Sequence, residues 1–104
     1  MILLYRKNST PIKLLIETLE SLLQGNEFHF IVGDFNIDAF QPNLQLVQLL
    51  HDFTEIVQEP THIDGSLLDH VYVRNSLFDM FKFNVTVIST FFSDHDAVYV
   101  NKIG

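Results

Sequence analysis

Apolar and polar positions along this chain repeat at two periods, and the changes between them mark out its elements. Ile12, Leu15, Ile16, Leu19, Leu22 and Leu23 recur at the three-and-four spacing of one helix face, with Glu17 and Glu20 off that stripe. Thr10 is placed to cap this helix. Pro11 suits its first position, where a missing N–H costs nothing, and Gly25 supplies a stop. A second amphipathic stretch over residues 43–53 has Asn43 as its cap and Leu46, Leu49, Leu50 and Phe53 facing inward. Short apolar runs read as strands at 2–5, 28–32, 55–58, 67–73, 84–89 and 97–100, with Pro60 ending the third. Residues 33–42 and 61–66 are polar and carry Gly33, Pro42 and Gly65, so they read as loops.

Strands alternating with helices early, then strands in succession, predict an α/β fold. The expected architecture is one mixed β-sheet with helices on one face. There is no internal repeat, low-complexity tract or interdomain linker. A chain of 104 residues with 47% hydrophobic content and ten Phe can bury a real core as one domain. The apolar start, Met1 to Leu4, is too short for a signal core or a membrane span, and Arg6 and Lys7 end it. No membrane partner is expected. The absence of cysteine excludes disulfides, thiolate metal sites and cysteine nucleophiles together.

Candidate chemistry lies in islands attached to the apolar runs: Gly33-Asp34-Phe35-Asn36, Leu68-Asp69-His70-Val71 and Ser93-Asp94-His95. Asp34 follows a strand and a glycine, so its carboxylate should emerge at a strand end, where ligands of α/β sheets usually sit. Asn36 offers an uncharged amide for a phosphate oxygen, although Gly, Asp and Asn are also ordinary turn residues. Asp69 is harder to read as incidental. Strand alternation places it with Val71 and Val73 on an apolar face, where a carboxylate needs a partner, and an imidazole is the natural one. His70 falls on the opposite face and reads as a packing residue. Asp94 is a carboxylate suited to a hard cation, and His95 supplies an imidazole, the side chain type suited to proton transfer, although a polar turn explains both at least as well. His29, His51 and His62 lack partners at ligand spacing and read as incidental.

Taken in order, these islands resemble the endonuclease/exonuclease/phosphatase superfamily. The residues that carry the likeness are Ile31-Val32-Gly33-Asp34-Phe35-Asn36-Ile37-Asp38, Pro60-Thr61-His62, Gly65-Ser66-Leu67-Leu68-Asp69-His70-Val71-Tyr72-Val73 and Phe92-Ser93-Asp94-His95. Tyr5-Arg6 also fits. The wording is most similar to the endonuclease-like domains of non-LTR retrotransposons and Helitron-type mobile elements. The resemblance implies Mg²⁺-dependent hydrolysis of phosphodiesters, with Mn²⁺ as a substitute, on nucleic acid, DNA ahead of RNA. For a mobile-element nuclease it implies a nuclear location. By the same resemblance, Asp34 acts on the attacking water or leaving oxygen and Asn36 holds the scissile phosphate. Asp69 orients His95, His95 contacts phosphate or serves as base, and Asp94 lies at or beside the metal.

The resemblance also implies that residues 1–104 form a partial domain, the carboxy-terminal half of a two-sheet αββα sandwich. The family's preceding half carries an asparagine, the metal-gripping glutamate and a catalytic tyrosine, and Glu17, Glu20 and Glu27 stand in no matching context. The metal is therefore expected to bind weakly or not at all to this chain alone. A missing amino-terminal half, or a second copy, becomes the expected protein partner. An apolar face should then be left open, with Leu3, Tyr5, Phe30, Val32, Val71 and Val73 as candidates by alternation. The formal net charge of −7, with six Lys and Arg, runs against a nucleic-acid surface. Two physical accounts reconcile it: carboxylates gathered around a cation, or a basic surface lying elsewhere. The alternatives are a scaffold remnant or binding module without catalysis, and a phosphatase of the same superfamily.

Overall fold

The computed structural model describes residues 1–6, 9–25, 28–88 and 95–103. The order of elements is β1 (Ile2–Tyr5), α1 (Ile12–Leu23), β2 (Phe30–Asp34), α2 (Leu44–Leu49), β3 (Phe53–Glu55), β4 (Asp69–Arg74), α3 (Asn75–Met80), β5 (Lys82–Ile88) and β6 (Ala97–Ile103). The fold is mixed α/β, as the alternation of elements predicts. Its strands divide between two sheets instead of lying in one: a four-stranded sheet ordered β1-β2-β4-β3, and the pair β5-β6.

The helix α1 forms where the apolar stripe is longest, and it buries Leu15, Ile16 and Leu19. Its start differs from expectation. Pro11 is itself the cap residue, with extended backbone, and no side chain caps the helix, so Thr10 does not take that role. At the other end the helix closes as expected. Gln24 donates its N–H to the Glu20 carbonyl, and Gly25 follows at φ 73°, the left-handed turn that glycine takes without steric cost. This helix is the crossover that lets β1 and β2 pair in parallel, whereas β2-β4 and β3-β4 are antiparallel. Gly33 is required where β1 meets β2. It pairs with Leu4, and a Cβ there would run into the Leu4 carbonyl.

Asn43 caps α2 by accepting the Leu46 N–H at 3.1 Å. The helix then stops at Leu49, short of the expected residue 53. Phe53 continues the apolar stripe but reaches the same core from β3. The third strand therefore lies at 53–55, ahead of the expected 55–58.

Two cores lie on opposite faces of the four-stranded sheet. On one face Ile2, Ile31 and Phe35 pack with Leu15 and Leu19 of α1 and Leu46 and Leu50 at α2. On the other, Val71 and Val73 are joined by Ile56, Val57 and Leu67, with Phe83, Val85, Val87, Val98 and Val100 of the β5-β6 pair against them. The β5-β6 pair thus forms a second layer over β2 and β4. It answers which residues the apolar face leaves open: Val71 and Val73 are covered, whereas Leu3 and Tyr5 of β1 stay 71% and 69% exposed.

Candidate active site

Two carboxylates face each other across the β2-β4 pair. Asp34, the last residue of β2, is the direct cross-strand partner of Asp69, the first residue of β4. Directly opposed residues of an antiparallel pair point to one face, so both carboxylates stand on the side covered by β5-β6. His95 reaches them from the segment leading into β6. Its Nδ1 lies 2.8 Å from Asp69 Oδ2 in a hydrogen bond, and its Nε2 lies 3.6 Å from Asp34 Oδ2. All three side chains are partly exposed, beside a cleft of about 210 Å³ lined by Val32, Gly33, Asp34, Asp69 and Asp96.

The loop after Asp34 is locked by its own backbone and by Arg6. Phe35 turns into the helix-side core, fully buried, and Asn36 takes φ 52°, which asparagine tolerates better than most residues. The Asn36 N–H donates to Asp34 Oδ1 at 3.0 Å and so aims that carboxylate. Arg6 donates its backbone N–H to the Asp34 carbonyl, its Nε–H to the Phe35 carbonyl and a terminal N–H to the Asn36 carbonyl. In return Asn36 Nδ2 donates to the Arg6 carbonyl at 3.0 Å. The Asn36 amide is thus partly engaged in holding its own loop, with one N–H left for another acceptor.

The placement of Asp69 and His95 converges on Thr61. This residue is fully buried, and its Oγ1 accepts the N–H groups of both Leu68 and Asp69 at 3.1 Å. Its carbonyl accepts the Asp96 N–H, while the adjacent His62 forms an isolated antiparallel bridge with His95. One threonine therefore fixes the backbone on both sides of the Asp69–His95 hydrogen bond. Asp38 supports the same corner by accepting the Leu67 N–H at 2.9 Å.

His62, read from sequence as incidental, is corrected by this geometry. Its ring meets that of His95 edge to face, with centroids 4.9 Å apart, and its Nδ1 lies 2.9 Å from Asp64 Oδ1. Hydrogen bonds from Ser66, and then the His62 contact, hold the Asp64 carboxyl down to about 2. Spacing along the chain could not reveal this neighbour, because His62 and His95 meet only when β6 docks. The sequence signal available was the Pro60-Thr61-His62 island itself.

The remaining expectations divide. Asp34, Asp69 and His95 are brought together, with Asn36 two residues from Asp34 at the same loop. His70 lies on the opposite face as expected, buried and stacked on Phe35 with centroids 5.1 Å apart. Asp94, expected at the metal, lies outside the described residues. Among those described, Asp34, Asp69 and His95 form an acidic and histidine group whose donor atoms lie within 4.8 Å of one another, a set able to hold a cation. No protein-family model and no curated protein matches the chain.

Proposed function

We propose that the chain is part of a Mg²⁺-dependent phosphodiester hydrolase acting on nucleic acid, DNA ahead of RNA, of the endonuclease/exonuclease/phosphatase kind. The observation that carries this reading is the convergence of Asp34, Asp69 and His95 from three distant islands. Asp69 accepts the Nδ1–H of His95 and holds the ring, so that Nε2 is turned toward Asp34. With a phosphodiester in the cleft, Asp34 and His95 would jointly take the proton of the attacking water and return one to the leaving oxygen. Asn36 would hold a non-bridging phosphate oxygen through its remaining amide N–H.

The donor set fits a divalent cation only in part. Mg²⁺ prefers oxygen and is typically held by one or two carboxylates plus substrate phosphate. Asp34 meets that description, while Asp69 Oδ2 is engaged by His95. When bound, the cation would supply charge stabilisation to the phosphate. Its affinity for Asp34 and Asp69 alone should be low, and hydrolysis by this chain alone correspondingly slow.

The test is a short DNA duplex titrated into ¹⁵N-labelled protein, with and without Mg²⁺. We expect the resonances of Asp34, Asn36 and His95 to shift when both are present, and Asp34→Ala to abolish the response. Shifts confined to other surfaces, or no response to DNA under either condition, would refute the reading.

A further inference from the structure

The Pro60-Thr61-His62 island meets the site at a second point besides Thr61. His62 and His95 are directly opposed in their antiparallel bridge, so their side chains fall on one face. Their rings meet at an interplanar angle of 82° with centroids 4.9 Å apart, an edge-to-face arrangement that aromatic rings favour. The backbone of His62 is held in place. Its N–H donates to the Ser66 carbonyl and its carbonyl accepts the Gly65 N–H, both at 3.0 Å, which closes residues 61–66 into a tight loop. The ring is anchored as well. Its Nδ1 lies 2.9 Å from Asp64 Oδ1, which also accepts the Ser66 N–H at 2.8 Å. An ionised carboxylate only accepts, so this His62 nitrogen donates, and the Asp64 N–H 3.3 Å from it makes a contact without a hydrogen bond.

His95 has need of such a neighbour. Rotation of a histidine ring about its last torsion is soft, and a hydrogen bond bends by about 30° before it weakens much. The Nδ1 bond to Asp69 alone therefore lets the ring tip by more than the roughly 10–20° that a reacting group tolerates. Because Nε2 stands 3.6 Å from Asp34 Oδ2, tipping decides whether it faces that carboxylate. A second ring packed at nearly a right angle resists the motion, since tipping either drives the two rings together or opens a gap between them.

We propose that His62, anchored by Asp64, is a positioning residue for proton transfer at this site: it fixes the tilt of the His95 ring and so keeps Nε2 turned toward Asp34. The role rests on the proton transfer proposed for Asp34 and His95, whereas the ring contact that performs it does not.

The test reads the orientation of the His95 ring in the whole chain, without DNA or metal, so it can fail while the hydrolase reading stands, and the reverse. In the parent, nuclear cross-relaxation should link the ring C–H groups beside His95 Nε2 to the Asp34 methylene. His62→Ala should lose that cross-peak, and His62→Phe, which keeps a ring in the same place, should retain it. The Leu68 N–H, bonded to Thr61 Oγ1, should hold its resonance in both variants, which separates tilting of the ring from movement of the loop. Asp64→Ala removes the anchor from an exposed position and should weaken the same cross-peak, and this decides the matter if His62→Ala does not fold. The proposal is overturned if the parent lacks the cross-peak, if the cross-peak survives His62→Ala, or if His62→Phe loses it too. It is also overturned if Asp64→Ala leaves it at parent strength, or if it is lost only together with a shift of the Leu68 N–H.

Discussion

Asp34 and Asp69 are directly opposed across β2 and β4, and the His95 ring is the group that stands between them, 3.6 Å from one carboxylate and 2.8 Å from the other. Like charges opposed on one face of a sheet destabilise it, and the Nδ1–H of His95 offsets that repulsion by hydrogen-bonding the Asp69 carboxylate. We therefore expect His95→Ala to lower stability by about 1 kcal/mol, the scale of a partly exposed pair. Asp34→Asn in the His95→Ala background should recover most of that loss. Urea unfolding of the two variants and the parent decides this, and a further loss in the double variant would contradict it.

The double role of Thr61 makes it the residue on which site geometry depends most. Thr61→Val keeps the shape but removes the acceptor for the Leu68 and Asp69 N–H groups. Leaving buried donors unpaired costs about 1–3 kcal/mol, so Thr61→Val should lose that much in urea unfolding while Thr61→Ser loses less. The valine variant should also weaken the Asp69–His95 hydrogen bond, read from the His95 ring resonances.

Stability should depend on pH through Glu55. Burial, partly offset by His70, raises the Glu55 carboxyl above its ordinary 4.5. The folded state therefore binds this proton more tightly than the unfolded chain does. Glu55 contributes its full stabilisation below pH 4.5 and loses it as pH rises from 4.5 through the elevated folded value. Glu55→Gln should flatten the fall in urea midpoint above pH 4.5 and leave the variant more stable than the parent at neutral pH. An unchanged pH profile in Glu55→Gln would show that another group sets it.

Purified chain should not nick plasmid DNA at a useful rate with Mg²⁺. With Asp69 committed to His95, Asp34 is the carboxylate of the Asp34, Asp69 and His95 group left for a metal, and the net charge of −7 opposes DNA binding. Loss of a single electrostatic stabiliser typically costs about 10²–10³ in rate. Metal-dependent nicking abolished by both Asp34→Ala and His95→Ala would mean that the chain builds a complete site, for example by pairing with a second copy.

The parts of this fold that could be read in advance are those whose signal is local. The α1 stripe buries Leu15, Ile16 and Leu19, so its period is visible, while α3 has six residues and buries none, so it left no stripe to find. Phe53 misled the end of α2 because helix and strand alike would deliver it to one core. The alternation of 82–88 marks a strand but not the sheet it joins, since pairing with β6 is a tertiary choice. The same division runs through the site. Asp69 is legible because a carboxylate on an apolar strand face needs a partner, whereas Asp34 and His95, which ordinary turns explain as well, are tied to it only by the resemblance of the ordered islands to a known family. Thr61 acts through two backbone N–H groups and a carbonyl, and His62 through a ring contact across 33 positions; residue type and spacing encode neither.

The most direct test of the proposed proton-transfer pair is the protonation of the His95 ring, read by long-range ¹H–¹⁵N correlation in the parent and in Asp69→Asn. We expect Nδ1 of His95 to carry a proton donated to Asp69 in the parent, and that proton to lose its fixed partner, with a changed Nδ1 shift, in Asp69→Asn. An unprotonated Nδ1 in the parent, or a His95 ring indifferent to Asp69→Asn, would contradict the orientation of His95 by Asp69 and with it the proposed chemistry.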